Sequence, residues 1–302
     1  MRVGIVGAGI TGLALADSLD AREIDVEVFE ATGTPGGVIR SKRVDGHVLE
    51  LGAQRTRLTP TISSLIDDLG IRAELIEADD LPLYVLRGGT LRRVPTTVAE
   101  AIQTDLLSLR GKLRSLYEPL TDPPRTDESV HDYFTRAFGS EVADYLAGPL
   151  YGGIYGSDAR DMPVQYSLSR ALDRHNISGS LLLTGIRSLL RGGSDVPIVS
   201  FADGLQTLPR ALYERHADRI SLESPVSDLR IIDDGVELSI GSRSARFDAV
   251  AVTTPAETAS ELLAGSDPET ADALAELTYN PLAVVHLHSD ADLSGAGYQV
   301  PR

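Results

Sequence analysis

A glycine-rich turn near the start of the chain restricts the fold more than any other feature. Residues 3–13 read VGIVGAGITGL, so that Gly7, Gly9 and Gly12 separate a short apolar strand from an alanine- and leucine-rich stretch. In this spacing the first glycine permits a tight turn, the second lets the backbone approach a pyrophosphate, and the third lets the next helix pack closely on the sheet. The sequence therefore predicts a β-α-β unit with a phosphate site at the helix N-terminus. That site comprises Gly7, Ala8, Gly9, Ile10, Thr11 and Gly12.

An acidic residue follows the second predicted strand. Strand 26–29 ends at Glu30, which lies 18 residues after Gly12. A carboxylate at this place accepts hydrogen bonds from the ribose hydroxyls of a dinucleotide, and its charge repels a 2′-phosphate. The pattern therefore indicates NAD or FAD rather than NADP. The alternatives are an ordinary glycine-rich turn and a signal peptide, which three glycines in the apolar run disfavour.

Composition and charge narrow the chemistry. The 302-residue chain has no cysteine, which excludes disulfides, thiolate catalysis and cysteine-held metal centres. Its net charge of −16 disfavours a nucleic-acid partner, because phosphate backbones need a cationic surface. The chain lacks any run of 18 apolar residues, so we predict no transmembrane segment and expect a cytoplasmic protein.

A glycine- and threonine-rich loop at residues 31–41 directly follows Glu30. Such a loop can wrap a dinucleotide with backbone donors, here from Gly37 and Val38, while Arg40 places a cation on the pyrophosphate. A surface turn with a solvated arginine explains the same residues equally well.

A predicted hairpin and helix come next. Asp45-Gly46 is typical of a tight turn, and the second arm ends at Gly52, where the backbone can approach a flat ring. The candidate site therefore also includes Gly52, Ala53, Gln54 and Arg55. The following helix begins after Thr59, has Pro60 in its first position and ends at Gly70.

The remaining elements are predicted from apolar spacing. Helices are expected at 130–138, 142–150 and 205–216, and strands at 220–222, 226–232, 236–240 and from 247 into a loop at 255. His286 and His288 share one face of a further predicted strand, 283–288. A histidine pair without a third ligand is a poor metal site, and we predict no metal.

The order of these motifs resembles the FAD-dependent amine oxidase superfamily. Three later segments are similar to the oxygen-dependent protoporphyrinogen and coproporphyrinogen oxidases within it: residues 83–95, the glycine-rich GPLYGGIYGSD at 148–158, and SFADGLQTL at 200–208. The segment 148–158 is the most specific, and the match runs in order from residue 1 to 302.

This resemblance implies an α/β fold, with a Rossmann-like FAD-binding domain of the GR2 type. That domain would comprise residues 1–80 and 196–266, with a helical insertion at 81–195 that faces substrate and membrane. Residues 267–302 would begin a mixed-sheet substrate domain. Family members continue well beyond this point, so we expect a C-terminally truncated chain. The backbone of Val226 would meet the adenine end of FAD.

The activity implied by the resemblance is oxidation of a porphyrinogen, protoporphyrinogen IX or coproporphyrinogen III, to the porphyrin with FAD and O2 in haem synthesis. No catalytic acid or base is assigned. Arg87 and Arg55 are candidate cations for the substrate carboxylates, and a solvated arginine in the hairpin explains Arg87 equally well. The resemblance also implies that the insertion makes peripheral contact with the inner face of the cell membrane. Its stretches 106–116 and 181–191 are basic and amphipathic, a pattern that core helices with solvated arginines would share.

Three other functions are compatible with parts of the sequence. Another flavin amine oxidase or a carotenoid desaturase would share residues 1–55 but lack the 148–158 segment. A nicotinamide-binding domain would share residues 7–30. A non-catalytic nucleotide-binding remnant would fit the expected truncation.

Overall fold

The computed structural model describes residues 1–79, 81–174, 179–190, 196–289 and 295–301. The chain divides into two compact units. Unit 1 comprises Met1–Ala78 and Val196–Leu287, and unit 2 comprises Asp79–Asp195 and His288–Arg302.

The first part of unit 1 contains six strands and two helices within residues 1–78. These are β1 (Arg2–Val6), α1 (Ile10–Asp20), β2 (Asp25–Phe29), β3 (Ser41–Val44), β4 (His47–Glu50), β5 (Thr56–Arg57), α2 (Pro60–Leu69) and β6 (Leu75–Glu77). The hairpin predicted at Asp45-Gly46 joins β3 and β4. The predicted limits of α2 are also confirmed: the Thr59 hydroxyl accepts from the Ile62 N–H, and Gly70 ends the helix with a φ of +72°.

The described residues of the ranges 81–174 and 179–190 form a hairpin followed by helices. These are β7 (Leu83–Arg87), β8 (Thr90–Arg93), α3 (Val98–Gln103), α4 (Leu109–Ser115), α5 (Val130–Phe138), α6 (Ser140–Val142), α7 (Gly148–Tyr155), α8 (Leu168–Arg174) and α9 (Leu181–Leu190). The predicted bounds of α5 are confirmed. The single helix predicted at 142–150 is wrong, because a π-helical turn, Ala143–Ala147, precedes α7. Pro149 lacks the N–H that an α-helix would use there, and a wider turn accommodates it.

The final part of the chain returns to unit 1 and ends in unit 2. Its elements are β9 (Ile198–Phe201), α10 (Thr207–Arg215), β10 (Ile220–Ser221), β11 (Val226–Ile232), β12 (Gly235–Ile240), β13 (Arg243–Phe247), β14 (Ala249–Val252), α11 (Ala256–Leu263), α12 (Pro268–Ala275) and β15 (Gly297–Gln299). The strand expected from residue 247 is split at Asp248, whose N–H donates to the Arg2 carbonyl.

The strand predicted at 283–288 is wrong. Residues 283–288 lie in an extended but irregular stretch, and their apolar side chains are exposed. Alternating side chains indicate a strand only where a neighbouring strand supplies hydrogen bonds, and the described part of the chain places none beside this stretch.

The centre of unit 1 is a parallel sheet in the order β10-β2-β1-β14. Its strands alternate between two cores. Ile5, Val26 and Val28 pack with α1 and α10 on one face. Val6 and Phe29 pack against the antiparallel sheet β11-β12-β13 and α11 on the other. The predicted α/β fold is therefore confirmed, and the carboxyl ends of β1 and β2 lie side by side.

Unit 2 has a helical core around α5 and a three-stranded sheet in the order β15-β7-β8. The core includes Val130, Tyr133, Ala137, Tyr151 and Val164. Burial raises the pKa of Tyr133 and of Tyr151 to about 12, so both phenols stay protonated at neutral pH. These rings therefore act as apolar packing groups.

A buried carboxylate holds the start of α9. Glu118 accepts hydrogen bonds from the Ser180 hydroxyl, from the Leu181 N–H at 2.8 Å and from the Leu182 N–H at 3.3 Å. The first N–H groups of a helix have no partners within it, so Glu118 supplies what the helix itself cannot.

Replacing Glu118 should destabilise unit 2. We expect Glu118→Ala to lower the free energy of unfolding by roughly 2 to 3 kcal/mol, because it leaves buried donors without an acceptor. Glu118→Gln, which keeps one acceptor oxygen, should cost less. Urea unfolding followed by circular dichroism measures both. Glu269→Ala, at an exposed site in the first turn of α12, is the control. Equal effects of Glu118→Ala and Glu269→Ala would contradict this role.

Candidate cofactor site

The glycine-rich turn connects β1 to the N-terminus of α1. Gly7 has a φ of +102°, a conformation that favours glycine, and its N–H donates to the Phe29 carbonyl at 2.8 Å. Gly9 is the N-cap of α1, with extended backbone and no side-chain cap, and the first helical turn has no acidic residue. The positive end of the helix therefore has no carboxylate of its own first turn to neutralise it.

The three glycines have different environments. A Cβ added at Gly12 would lie 2.0 Å from the Gly7 carbonyl oxygen and 2.7 Å from the Thr253 hydroxyl. That hydroxyl lies 2.9 Å from the Val6 carbonyl oxygen and 3.0 Å from that of Gly7, within hydrogen-bonding distance of both. A Cβ added at Gly9 would meet nothing within 4 Å. Gly12 therefore serves close packing, while the space beside Gly9 is open to a ligand. This arrangement fits a pyrophosphate at the helix N-terminus.

Glu30 lies beside this turn, as the sequence predicts. Its carboxylate accepts from the Ala8 N–H at 2.8 Å, and from the N–H and hydroxyl of Thr32 at 2.9 and 2.8 Å. A carboxylate has about four acceptor positions, so these three bonds fix its orientation and leave about one position for a ribose hydroxyl. Sequence reasoning missed Thr32, although a threonine two residues after an acid is a common local hydrogen-bonding pattern.

The loop after Glu30 is attached to the glycine-rich turn. The Gly36 N–H donates to the Ala8 carbonyl at 2.8 Å, and a Cβ at Gly37 would lie 3.2 Å from the Gly9 Cα. Sequence reasoning selected Gly37 but missed Gly36. Val38 is exposed. The Arg40 Nε donates to the Gly37 carbonyl at 3.0 Å, so this arginine closes its own loop. A contact between its guanidinium and a phosphate stays a prediction.

The end of the predicted hairpin packs against the same loop. A Cβ at Gly52 would lie 1.8 Å from the Val38 carbonyl oxygen, so the close approach here is to the chain's own backbone. Ala53, Gln54 and Arg55 are exposed. The roles assigned to these four residues toward a flat ring stay predictions.

A network that the sequence did not reveal ties the hairpin to the start of α10. The Ser41 hydroxyl donates to the Glu50 carboxylate at 2.5 Å, and the Leu205 N–H donates to the same carboxylate at 2.7 Å. The Gln206 side chain accepts from the Ser41 N–H at 2.9 Å. The hairpin register pairs Ser41 with Glu50, whereas Leu205 and Gln206 are too far away in sequence for any local pattern to pair them with the hairpin.

Val226 is the first residue of β11 and pairs with Ile240. Just before it, the Ser224 N–H donates to the Glu30 carbonyl at 2.8 Å and the Glu223 N–H to the Thr32 carbonyl at 3.0 Å. The segment that leads into Val226 therefore runs along the Glu30 end of β2. Its backbone contact with adenine stays a prediction.

Arg87 lies in unit 2 in a cluster of protein partners. Its guanidinium donates to the Leu106 carbonyl and, at 3.1 Å, to the Glu141 carboxylate, and it lies 4.5 Å from the ring centre of Tyr145. The Arg87 guanidinium, which the sequence suggested for a substrate carboxylate, therefore has partners within the protein. A contact between Arg87 and a substrate carboxylate stays a prediction.

Glu141 completes this cluster and accepts from the Ser108 N–H at 2.7 Å and hydroxyl at 2.6 Å. Burial by itself raises the pKa of the Glu141 carboxyl, but the Ser108 hydrogen bonds and the Arg87 guanidinium outweigh it and hold the pKa below its ordinary value of 4.5. The carboxylate is therefore ionised at neutral pH and joins β7, α4 and α6.

Two absences concern the described residues alone. They contain no group of three or more histidine, cysteine or acidic side chains placed to hold a metal ion. His286 instead hydrogen-bonds the Glu50 carbonyl at 3.0 Å. Nor do the described helices include one with the length and apolar character needed to span a bilayer.

A parallel sheet with a glycine-rich turn, a helix N-terminus and an acid at the end of β2 defines a dinucleotide-binding protein of the α/β class. Residues 10–294 match the family model "Flavin containing amine oxidoreductase". The chain belongs to this flavin containing amine oxidoreductase family. FAD is thus the cofactor of the site, and the ordinary-turn and nicotinamide-binding alternatives are disfavoured.

Within this family, the chain is similar to proteins that are named as porphyrinogen oxidases. The chain is 31% identical to "Protoporphyrinogen oxidase 2, chloroplastic/mitochondrial" of Arabidopsis thaliana over 94% of this chain and 63% of the relative. It is 30% identical to "Coproporphyrinogen III oxidase" of Staphylococcus aureus over 84% of this chain and 60% of the relative. The resemblance deduced from the sequence is confirmed. The chain spans less than two thirds of the length of these relatives.

Solved structures support the fold. An oxidoreductase from Methanosarcina mazei superposes with a TM-score of 0.67 at 16% identity, covering 92% of this chain and 65% of that one. Cyclohexylamine oxidase from Brevibacterium oxydans gives a TM-score of 0.61 at 19% identity, covering 91% and 62%.

Substitution by alanine should have different effects at Gly12, within α1, and at Gly9, its N-cap. Gly12→Ala should lower the free energy of unfolding by roughly 3 kcal/mol, because its Cβ collides with the Gly7 carbonyl. Gly9→Ala should fold normally but bind FAD at least about tenfold more weakly, because its methyl group enters the open ligand space. Thermal melts without flavin and titration by quenching of FAD fluorescence separate the two effects. Gly265→Ala, at another site with open space, is the control. Unchanged FAD affinity in Gly9→Ala would contradict the site.

The Glu141 cluster should make stability depend on pH. Because the pKa of Glu141 is lower in the folded chain, its stabilisation is complete above 4.5 and is lost as the pH falls through the folded pKa. We expect Glu141→Gln to cost about 1 to 2 kcal/mol near neutral pH and progressively less in acid. Urea midpoints at about pH 7 and about pH 4 test this. Glu214→Gln, which removes a surface ion pair with Arg210, is the control. A cost that does not change with pH would contradict the role of the charge.

Proposed function

We propose that this chain is the FAD-binding part of an oxidase that converts a porphyrinogen to the porphyrin in haem biosynthesis. The observation that carries the proposal is the likeness to protoporphyrinogen oxidase 2 over 94% of the chain, together with the site at the ends of β1 and β2. Protoporphyrinogen IX and coproporphyrinogen III are the two candidate substrates. The relatives support both, since one is named for each.

Residues of unit 1 would bind and orient the cofactor. The N–H groups at the start of α1 would hold the pyrophosphate, and Glu30 would hold the ribose of the adenosine. Thr32 and the Ala8 N–H keep the Glu30 carboxylate in place. We assign to FAD Gly7, Ala8, Gly9, Ile10, Thr11, Gly12, Glu30, Gly37, Val38, Arg40, Gly52, Ala53, Gln54, Arg55 and Val226.

When bound, FAD supplies the hydride acceptor, and three two-electron oxidations with O2 as the final acceptor yield the porphyrin and three molecules of peroxide. The protein contributes position, electrostatics and exclusion of water to such chemistry. No proton transfer is assigned to a side chain of this part of the protein.

Peripheral membrane contact is a second part of the proposal. Leu109, Leu113 and Leu116 of the α4 segment are 74%, 54% and 62% exposed, at spacings of four and three residues. That spacing places them on one side of a helix, with Arg110 and Lys112 beside them, which is typical of helices that lie in a membrane surface. This supports a cytoplasmic protein in contact with the inner face of the cell membrane.

A spectroscopic experiment tests the main proposal. The purified chain should develop a two-banded flavin spectrum when FAD is added, and anaerobic addition of protoporphyrinogen IX or coproporphyrinogen III should bleach it. Admission of O2 should restore the flavin bands and release fluorescent porphyrin. The Gly9→Ala variant, tested at the same FAD concentration, is the matched control for cofactor-dependent turnover.

Two results would contradict the proposal. A bound flavin that a primary amine reduces and neither porphyrinogen does would favour a different amine oxidase. A chain that binds NAD and no flavin would remove the cofactor assignment itself.

A further inference from the structure

Unit 2 contains an apolar groove of about 560 Å³. Its walls come from α3, α4, the end of α5, the π-helical turn and α9. The lining includes Val98, Ile102, Leu113, Leu146, Leu182 and Ile186. A volume of this size lies within the range of about 300 to 1,000 Å³ found for small-molecule sites. None of the residues assigned to FAD lines it.

Lys112 is the one charged residue among the described residues that line the groove. Its Nζ donates to the Ile102 carbonyl at 2.7 Å, at the end of α3. An ammonium group has three donors, so this bond fixes its place and leaves two donors for a ligand. Among the residues that the structure describes, no carboxylate lies within 4.0 Å of this nitrogen. Within the described part of the chain, the cation is therefore held at the groove without a carboxylate partner.

The polar groups nearest in the lining are already engaged. The Ser115 hydroxyl donates to the Gly111 carbonyl at 2.9 Å, and the Thr104 hydroxyl accepts from the Leu106 N–H at 3.1 Å. The groove thus offers a long apolar wall and a single cationic group. A ligand that matches it has an apolar chain and one negative charge.

We propose that this groove binds a monomeric long-chain carboxylate, with its acyl chain among the aliphatic side chains and its carboxylate on Lys112. The carboxylate would replace water on the two remaining Nζ donors and form a charge-assisted hydrogen bond. The volume and the single positive charge favour one amphiphile over a polypeptide segment. This binding function is independent of the redox activity proposed for the chain.

Displacement of a fluorescent fatty acid tests the site. Cis-parinaric acid should bind the full chain saturably, with one molecule per chain, and dodecanoate below its critical micelle concentration should displace it. Dodecan-1-ol, which keeps the chain and lacks the charge, should displace it about tenfold less effectively. Absence of saturable binding would overturn the proposal.

Two pairs of variants locate the ligand. Lys112→Met should abolish the preference for dodecanoate over dodecanol, whereas Lys42→Met, which removes the other lysine of the chain, should preserve it. Gly185→Phe should weaken both ligands at least about tenfold. Gly185 lines the groove, and a Cβ there meets no atom within 4 Å, so the ring has space to enter. Gly265→Phe, with equally open surroundings, is its control.

Other results of these experiments would place the ligand outside the groove or assign the groove to a membrane contact. Unchanged binding in both Gly185→Phe and Lys112→Met would place the ligand elsewhere and overturn the proposal. Binding to phosphatidylglycerol vesicles without binding of the monomeric probe would identify the groove as part of a membrane contact instead. If Gly185→Phe fails to fold by circular dichroism, the comparison of Lys112→Met with Lys42→Met decides.

Discussion

The direct contact between α1 and the end of β1 is the constraint on which the cofactor site depends. Gly12 has no room for a Cβ, because the Gly7 carbonyl and the Thr253 hydroxyl occupy that position. This contact brings the N-terminus of α1 to the edge of the sheet where β2 also ends. Glu30 is thereby close enough to accept the Ala8 N–H, and the loop with Gly36 can reach the turn. This one contact thus brings together the proposed phosphate site, the proposed ribose site and the loop that contains Gly36.

Glu30 has two tasks that the same geometry allows. In the protein alone its carboxylate orders the turn through Ala8 and Thr32, and about one acceptor position remains for the ribose that we propose it binds. The site is therefore preorganised by its own backbone, and little ordering remains to be done when a dinucleotide binds. Preorganisation of this kind reduces the entropic cost of binding.

Local sequence patterns predicted the elements that local interactions determine. Thr59 and Gly70 define α2, Asp45-Gly46 defines a hairpin, and the acid of the predicted β-α-β unit meets the glycine-rich turn. The prediction of a strand at 283–288 was wrong, because the sequence pattern contained no information on a neighbouring strand to pair with it. The prediction of a single helix at 142–150 was wrong because apolar periodicity does not distinguish a π-helical turn from a regular α-helical turn. The hydrogen bonds from Leu205 to Glu50 and from Ser41 to Gln206 join residues that only the tertiary fold brings together.

Arginine and lysine have different roles in unit 2, and this difference bears on both the Arg87 prediction and the proposed groove. Arg87 was selected as a cation for substrate, yet its planar group holds a carbonyl and a carboxylate of the protein. Arg114 and Arg136 likewise donate to backbone carbonyls across the helical core. A guanidinium with five donors suits such cross-links, whereas an ammonium is a compact charge on a flexible stem. The Lys112 ammonium donates one hydrogen bond to a carbonyl at the end of α3 and lies beside an apolar wall. Lys112 is therefore the group to which we assign the anion of the proposed ligand, even though the net charge of the chain is −16.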